Sequence, residues 1–208
     1  MKDNLTYWSC VDDAENERLK VLMANHSVVH KNESRLHIKE SGYKSVLDCG
    51  AGYCSEYYGF KSDGYDIDYY AFDITPRFVK TGVEKGINIR EGDIENIPYG
   101  DDFVDVCLCH AVLNHLEDFK RAIDEMLRVA KKEVIVSFFK KFQEVDEIIY
   151  RYPNCIYHYY VISDIQQYLN KKGLNYQIKE TSKPTPHSVN PRWTFYIKKN
   201  YENSISKS

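Results

Sequence analysis

Apolar residues fall along the chain either in short continuous runs or at every third or fourth position. Five runs have the length and continuity of buried parallel strands, namely 44–49, 69–73, 87–90, 104–109 and 133–138. Helical spacing is clearest over 118–130, where Phe119, Ile123 and Met126 recur on one face. Strands that alternate with helices predict an α/β fold with a doubly wound sheet.

Capping signals and breakers place the remaining elements. Thr75-Pro76 is a cap followed by a first-turn proline and predicts a helix to about Lys85, while Ser163 and Gln166 have the spacing of a capping box. Further helices are predicted over 11–40 with a break near 25–27, from Ser55 onwards, and from 163 to 173. The last strands are predicted over 174–180 and 193–198. Residues 140–160 and the proline-rich 183–191 are predicted to be irregular loops on the ligand side of the sheet.

Length and composition favour one soluble enzyme domain. The chain has 208 residues, a net charge of −3 and a pI near 6.2, which gives no basic surface for nucleic acid and makes such a partner a poor expectation. It has no apolar run of membrane-spanning length and no signal peptide at the given amino terminus, so we expect no membrane partner and a cytoplasmic location. The predicted organisation is a single domain over 1–208, with a helical segment 1–43, a core 44–139, a substrate side 140–199 and a frayed tail 200–208.

Six cysteines form no CxxC pair and no zinc-like grouping with histidine. Cys107 and Cys109 alternate on a predicted strand and should share one face. We interpret the cysteines as small buried side chains in a reducing compartment and predict no metal site.

Three strand ends carry glycine or carboxylate signals. Residues 46–52 run from an apolar strand into a turn with Gly50 and Gly52, and the next two strands end at Asp73 and Asp93. A carboxylate at a strand tip suits the vicinal hydroxyls of a ribose, and Asp73 follows Gly50 at about the interval of a sugar-reading acid. Asp48, just inside the turn, would repel a pyrophosphate and attract an ammonium group, which favours S-adenosylmethionine as the ligand.

A dinucleotide site is the alternative interpretation of this turn. Its fingerprint requires glycine at the first, third and sixth positions, which here are Gly50, Gly52 and Ser55. The fingerprint is therefore incomplete. A tight strand-to-helix turn without a ligand is the other alternative, and the three carboxylates in register argue against it.

The sequence resembles the class I S-adenosylmethionine-dependent methyltransferases, nearest to the type 11 group. Residues 46–52 match its VLDxGxG motif, 91–99 resemble its acidic GDAENLPF segment, and 103–116 resemble its fourth-strand block. The likeness covers about 44–138 and implies a mostly parallel, seven-stranded, Rossmann-like sheet with helices on both faces and an antiparallel last strand. One position departs from the pattern, because Cys54 stands where that group often has glycine.

The resemblance implies which residues hold the methionine end of S-adenosylmethionine. Asp48, Gly50, Ala51 and Gly52 would line that end. His110, at the end of the fourth strand, would lie beneath the cofactor near the sulfonium.

The adenosine end is assigned in the same way. Asp73 would bind the ribose, and Ile74 would pack beside the adenine. Asp93 would accept a hydrogen bond from the adenine amino group, and Ile94 would offer its backbone N–H to the ring.

The predicted reaction is methyl transfer to an oxygen or nitrogen atom of a small-molecule acceptor. His115, just beyond the fourth strand, is the candidate base because histidine titrates near neutrality, and His158 is a second candidate. A structural role for His115 stays open. Tyr7 and Trp8 are candidates to close over the cofactor, and Arg35 is a candidate to pair with its carboxylate. The alternative function is a regulatory protein that binds the cofactor without transferring the methyl group.

Overall fold

A seven-stranded sheet forms the centre of the molecule in a computed structural model that describes residues 8, 12–23, 25–138, 144–151, 155–182 and 192–200. Its strands lie in the order β3-β2-β1-β4-β5-β9-β8. Their bounds are β1 Ser45–Cys49, β2 Asp68–Asp73, β3 Ile89–Glu91, β4 Val104–His110, β5 Ala130–Phe138, β8 Asn175–Ser182 and β9 Arg192–Lys198. Two further strands, β6 Glu147–Arg151 and β7 Cys155–Tyr159, form a separate antiparallel hairpin.

Strand directions confirm the predicted topology. The pairs β1–β2, β1–β4, β2–β3 and β4–β5 are parallel, whereas β9 is antiparallel to both β5 and β8. The sheet is therefore mostly parallel with an antiparallel last strand, as the family resemblance implied. Strands β2 and β3 lie on one side of β1, and β4 and β5 lie on its other side. The strand order therefore reverses between β1 and β4. A crevice at the carboxyl ends of strands is expected at such a point.

Six helices surround the sheet in the described residues. They are α1 Asp13–Met23, α2 Val29–Glu40, α3 Ser55–Ser62, α4 Pro76–Glu84, α5 Lys120–Val129 and α6 Ile162–Lys171. Ile38 of α2 and Phe60 of α3 pack on one face against Val46, Val106 and Leu108. The opposite face carries α5 and α6, whose buried Met126 and Leu169 belong to the cluster of Leu47 and Cys107. Helices thus cover both faces, as predicted.

The cysteines follow the predicted pattern on this face. Cys107 and Cys109 lie with Cys49 in the cluster below α5 and α6, and all three are fully buried. Burial raises the pKa of the Cys49 and Cys109 thiols above the ordinary range, so they remain neutral packing groups. Within the described ranges, no three His, Cys, Asp or Glu side chains group as metal ligands.

Two local predictions are wrong. Residues 140–160 are not an irregular loop, because the described part of that segment contains the β6–β7 hairpin. The Ser163–Gln166 capping box is also wrong, since α6 begins at Ile162 behind Val161, which makes no side-chain cap. The proline-rich segment 183–191 and the tail after 200 lie outside the described residues. No described helix has the length and apolarity needed to cross a bilayer.

Candidate active site

The turn after β1 has a left-handed backbone at alternate positions. Gly50, Gly52 and Cys54 have φ of 73°, 55° and 57°. The N–H groups of Gly50 and Ala51 both donate to the Phe72 carbonyl oxygen at 3.0 Å, which fixes the turn against the end of β2. Only glycine adopts this conformation without strain, and here two of the three residues are glycine.

Gly50 also lies where a side chain would not fit. A Cβ built on it would approach Cγ2 of Val112 to 2.5 Å, so the turn after β1 touches the loop after β4. These are the two strands between which the sheet order reverses. The predicted cofactor motif and the fourth-strand block therefore meet at the reversal point, where a ligand crevice is expected in sheets of this kind.

Asp73 closes β2 with its carboxylate bound by the backbone. Oδ2 accepts the Gly52 N–H at 2.7 Å, and Oδ1 accepts the Thr75 N–H at 2.8 Å. Burial raises the pKa of Asp73, and the two backbone donors oppose that shift. The acid thereby locks the glycine turn to the end of β2, and each oxygen keeps a second lone pair with which it can accept a ribose hydroxyl.

Asp48 lies beneath the turn with 3% of its surface exposed. The Tyr69 hydroxyl on β2 donates to its Oδ2 at 2.6 Å. Burial and the nearby Glu56 carboxylate raise the pKa of Asp48 to about 7, while the Tyr69 hydrogen bond and Lys31 act in the opposite direction. An approaching cation would stabilise the ionised form of this buried carboxylate.

A buried charge network next to the turn was missed at the sequence level. Glu56 in α3 is 2% exposed and contacts Arg35 Nη1 at 3.0 Å and Lys31 Nζ at 3.6 Å. Lys31 also donates to the Ser55 hydroxyl at the start of α3. Gly59 makes room for the network, because a Cβ there would lie 2.5 Å from the Arg35 guanidinium.

The candidate pairing of Arg35 with the cofactor carboxylate is a wrong prediction. Arg35 is 2% exposed, and its guanidinium donates to Asp63, Glu56, Asn32 and the His26 carbonyl. All three of its nitrogens are thus engaged within the protein. It joins α2 to α3 instead of facing the crevice.

The adenosine-side candidates lie at the ends of β2 and β3. Asp93 is half-buried, and its Oδ1 accepts the Glu95 N–H at 2.9 Å. Ile94 is 6% exposed in the α5–α6 cluster, and Ile74 is half-buried beside Asp73. All four residues therefore lie at or just beyond the carboxyl ends of two neighbouring strands, and their contacts with adenosine stay predictions.

His110 ends β4 next to the reversal point. It pairs in register with Ser137 of β5, and its ring lies 5.1 Å from the ring of His30 on α2. Its place beneath the cofactor stays a prediction.

His115 lies on a 3₁₀ turn, Leu113–His115, that follows β4. Its ring is surrounded by Trp8 at 5.1 Å and Tyr157 at 5.3 Å between centroids. Its Nδ1 lies 2.9 Å from the Ile156 carbonyl oxygen of the hairpin. Trp8 also contacts Phe78 of α4, so it bridges α4 and the 3₁₀ turn as a residue closing over the crevice would.

His158 is placed differently from His115. It is 4% exposed, with Nδ1 3.0 Å from the Leu116 carbonyl oxygen and Nε2 2.8 Å from Asp146 Oδ2. A cleft of about 770 Å³ beside it is lined from the hairpin, α5 and α6 and includes none of the cofactor candidates. The side chains of His115 and His158 thus have different surroundings, and the catalytic role of either stays a prediction.

Comparison with known proteins identifies the architecture. A family of methyltransferase domains matches residues 47–138. Residues 47–138 thus match a methyltransferase domain, as the resemblance to the class I, type 11 group implied. The matched methyltransferase segment runs from β1 to β5 and includes every cofactor candidate and His115.

The named relatives differ in what they modify. The chain is 28% identical over 124 residues to a malonyl-[acyl-carrier protein] O-methyltransferase of Pectobacterium atrosepticum, covering 59% of this chain and 42% of that one. It is 34% identical over 89 residues to a tRNA (carboxymethyluridine(34)-5-O)-methyltransferase of Arabidopsis thaliana, covering 41% and 21%. The chain thus spans less than half the length of these curated relatives.

A solved structure of similar fold is the Burkholderia thailandensis 1,6-didemethyltoxoflavin-N1-methyltransferase with bound 1,6-didemethyltoxoflavin and S-adenosylhomocysteine. Its TM-score is 0.69 at 14% identity, over 90% of this chain and 84% of that one. The likeness extends beyond the matched family segment and confirms the fold over most of the chain. S-adenosylmethionine is the cofactor of the family.

Proposed function

We propose that this protein transfers the methyl group of S-adenosylmethionine to an oxygen or nitrogen atom of a small-molecule acceptor. The observation that carries the proposal is the meeting of the Gly50 turn with Val112 at the point where the sheet order reverses, beside the carboxylate of Asp73. Bound there, the cofactor supplies an electrophilic methyl group on a cationic sulfur. The residues of the chain bind, orient and accept a proton.

The buried groups fit the two ends of such a cofactor. Asp48, with its raised pKa and its single tyrosine donor, would hold the ammonium group, and Asp73 would bind the ribose. The cofactor carboxylate would face the amino end of α3, where Lys31 is the available cation, rather than Arg35. Asp93 and Ile94 would receive the adenine.

The acceptor side would be formed by the 3₁₀ turn and the hairpin. Hydroxyl and protonated nitrogen acceptors lose a proton on methylation, so a base near the methyl group accelerates the reaction by roughly 10²- to 10⁴-fold. His115 is the candidate because it follows β4 at the crevice and lies between the aromatic rings of Trp8 and Tyr157.

Two alternatives remain to be separated by experiment. A regulatory protein would bind the cofactor without transfer, and an RNA methyltransferase would modify a macromolecule as one curated relative's name states of that relative. The net charge of −3 supports the small-molecule class, because RNA binding relies on basic surface.

The test combines binding and transfer. Calorimetry should show S-adenosylmethionine and S-adenosylhomocysteine binding at one site, with NAD as the control that does not bind. Tritium from the labelled methyl group should then enter the small-molecule fraction of a cell extract and not its tRNA fraction. Binding without transfer would favour the regulatory alternative, label in tRNA would favour the RNA alternative, and NAD binding would contradict the proposal outright.

A further inference from the structure

The 3₁₀ turn that carries His115 is attached to strand β7 by side chains from both sides. The Asn114 amide donates to the His158 carbonyl oxygen at 2.8 Å. The Tyr160 hydroxyl lies 2.9 Å from the carbonyl oxygens of both Leu113 and Leu116. The turn is therefore held at its first residue, its middle and its end by the segment 158–160.

His158 provides the strongest of these attachments. Its ring nitrogens face two acceptors, the Leu116 carbonyl oxygen and an Asp146 carboxylate oxygen. Both of these oxygen atoms lie within hydrogen-bond distance of the ring, one at each nitrogen. The ring also packs on Tyr160 with centroids 3.7 Å apart. A ring with both nitrogens engaged in this way holds the backbone and does not exchange protons with an acceptor.

The consequence for His115 is a fixed tautomer. Its Nδ1 lies 2.9 Å from the Ile156 carbonyl oxygen, which only accepts hydrogen bonds. The thiol of Cys155, 3.7 Å from the same nitrogen, is the weaker partner. The proton of neutral His115 therefore lies on Nδ1, and the lone pair lies on Nε2. The Ile156 carbonyl belongs to β7, the strand that carries His158 and leads directly to Tyr160.

We propose that β7 is the positioning strand for His115, with His158 and Tyr160 as positioning residues that hold the Ile156 carbonyl against Nδ1 and keep Nε2 as the proton acceptor. The use of Nε2 in catalysis rests on the proposed function. The tautomer itself does not, since it is a property of the protein without cofactor or acceptor.

The experiment measures the tautomer directly. The full chain is labelled with ¹⁵N-histidine, and ring nitrogen shifts and couplings are recorded at a pH where His115 is neutral, with a His115→Gln variant to assign the signal. Tyr160→Phe removes the one hydroxyl whose proton is shared between the Leu113 and Leu116 carbonyl oxygens, and His158→Phe removes the ring nitrogens while keeping a ring against Tyr160. Tyr168→Phe is the matched control, because its hydroxyl bonds Asp124 and Lys120 of α5 in the same apolar cluster and does not touch the turn.

In the parent protein and in Tyr168→Phe, the Nδ1–H form of His115 should exceed the Nε2–H form by at least about fivefold, the worth of one hydrogen bond. In Tyr160→Phe the ratio should fall to within about twofold of unity, and in His158→Phe it should fall further. A parent protein with Nε2–H, or a ratio unchanged in both variants, would overturn the proposal. Should His158→Phe fail to fold, Tyr160→Phe decides alone.

A second measurement separates this inference from the proposed function. S-adenosylmethionine affinity of Tyr160→Phe should stay within about twofold of the parent, because the hydroxyl contacts the turn and not the glycine motif. A parent protein that fails to bind the cofactor would refute the proposed function while leaving the tautomer result standing. A normal cofactor affinity with the wrong tautomer would refute only the positioning role.

Discussion

The two sides of the crevice are held by different kinds of bond. On the cofactor side, backbone N–H groups hold the turn in place. Those of Gly50 and Ala51 donate to the Phe72 carbonyl oxygen, and that of Gly52 donates to the Asp73 carboxylate. On the acceptor side, side chains join the 3₁₀ turn to β7 across 41 to 47 residues of sequence. Backbone geometry imposes residue types such as glycine, whereas side-chain pairs can be exchanged together. A sequence motif can therefore identify the cofactor side but not the acceptor side.

This contrast implies different responses to substitution. A change in the glycine turn should remove cofactor binding because it alters the path of the backbone. A change in the hairpin should leave the cofactor bound and affect only the group that faces the acceptor. The following substitutions test each half of that statement.

Gly50→Ala should have the largest effect. Its Cβ would lie 2.5 Å from Val112 at a φ of 73°, and the combined clash and backbone strain should cost about 2–4 kcal/mol of unfolding free energy. Cofactor affinity should fall at least about 100-fold, since each 1.4 kcal/mol is tenfold in binding. Urea denaturation and calorimetry measure the two effects.

Gly42→Ala is the control for that substitution. Gly42 has a φ of 69°, nearly the same as Gly50, but a Cβ there would meet no atom within 4 Å. It should cost only about 1 kcal/mol and leave cofactor affinity unchanged. Equal losses of stability and cofactor affinity in Gly50→Ala and Gly42→Ala would mean that the contact between the turn after β1 and the loop after β4 contributes to neither property.

Asp73→Ala should weaken cofactor binding by about 10- to 100-fold, the usual worth of hydrogen bonds to a charged group. It removes the acceptor for the Gly52 and Thr75 N–H groups as well as the predicted ribose ligand. Asp105→Ala is the matched control. Asp105 also accepts a hydrogen bond from a backbone N–H and pairs with a lysine, but it lies at the amino end of β4, whereas Asp73 lies at the carboxyl end of β2. That variant should lose stability with no change in affinity, and a similar loss of affinity in both would contradict the ribose assignment.

Cofactor affinity should depend on the ionisation of Asp48. Its pKa is raised to about 7, and only the carboxylate attracts the ammonium group. Affinity should therefore fall about tenfold as the pH is lowered from about 8 to about 6, because one group titrates between them. Tyr69→Phe removes the hydrogen bond that opposes the shift, so it should move the midpoint to higher pH.

The same carboxylate predicts a slope in stability. The folded-state pKa of about 7 exceeds the ordinary 3.8, so the folded protein binds the proton more tightly than the unfolded chain. The contribution of Asp48 to stability is greatest below the ordinary pKa and is lost as the pH rises towards about 7. Asp48→Asn should remove that slope, and an unchanged slope would assign it to other groups.

Much of the fold could be predicted from local sequence patterns. Strands β1 to β5 and helices α3 to α5 lie within a few residues of their predicted positions because each combines an apolar period with a cap or glycine. The hairpin was missed although Ile148, Ile149 and Tyr150 have the composition of a strand. The high tyrosine content of 140–160 was interpreted as a sign of irregular structure.

The candidate site was predictable only where the backbone determines it. The turn and the strand-tip carboxylates occupy the positions implied by the motif, and their roles stay predictions. The Tyr69 partner of Asp48 depends on the register of two strands, and the burial of Arg35 depends on Gly59 of another helix. Such pairs are set by packing between distant segments, which no local pattern contains.

The smallest expected effect concerns Cys54, the departure from the family's glycine. Its φ of 57° is left-handed, a conformation that glycine adopts without strain, and here a side chain occupies the position. The thiol is fully buried near Ala71, Ile87 and Ile89, and this packing offsets the strain. Cys54→Gly should therefore change stability by no more than about 1 kcal/mol and cofactor affinity by less than about twofold.

The order of two variants provides a sharper test than either value alone. Cys54→Ala loses the buried sulfur and keeps the strain, so it should be less stable than Cys54→Gly by about 1 kcal/mol. At Cys109, a buried strand position without positive φ, the order should be reversed, because glycine there only adds flexibility to the unfolded chain. If alanine were the better replacement at both positions, the left-handed backbone would not be strained at Cys54. The turn would then accept a side chain without strain, and the proposed contrast between a cofactor side set by the backbone and an acceptor side set by side chains would be wrong at this position.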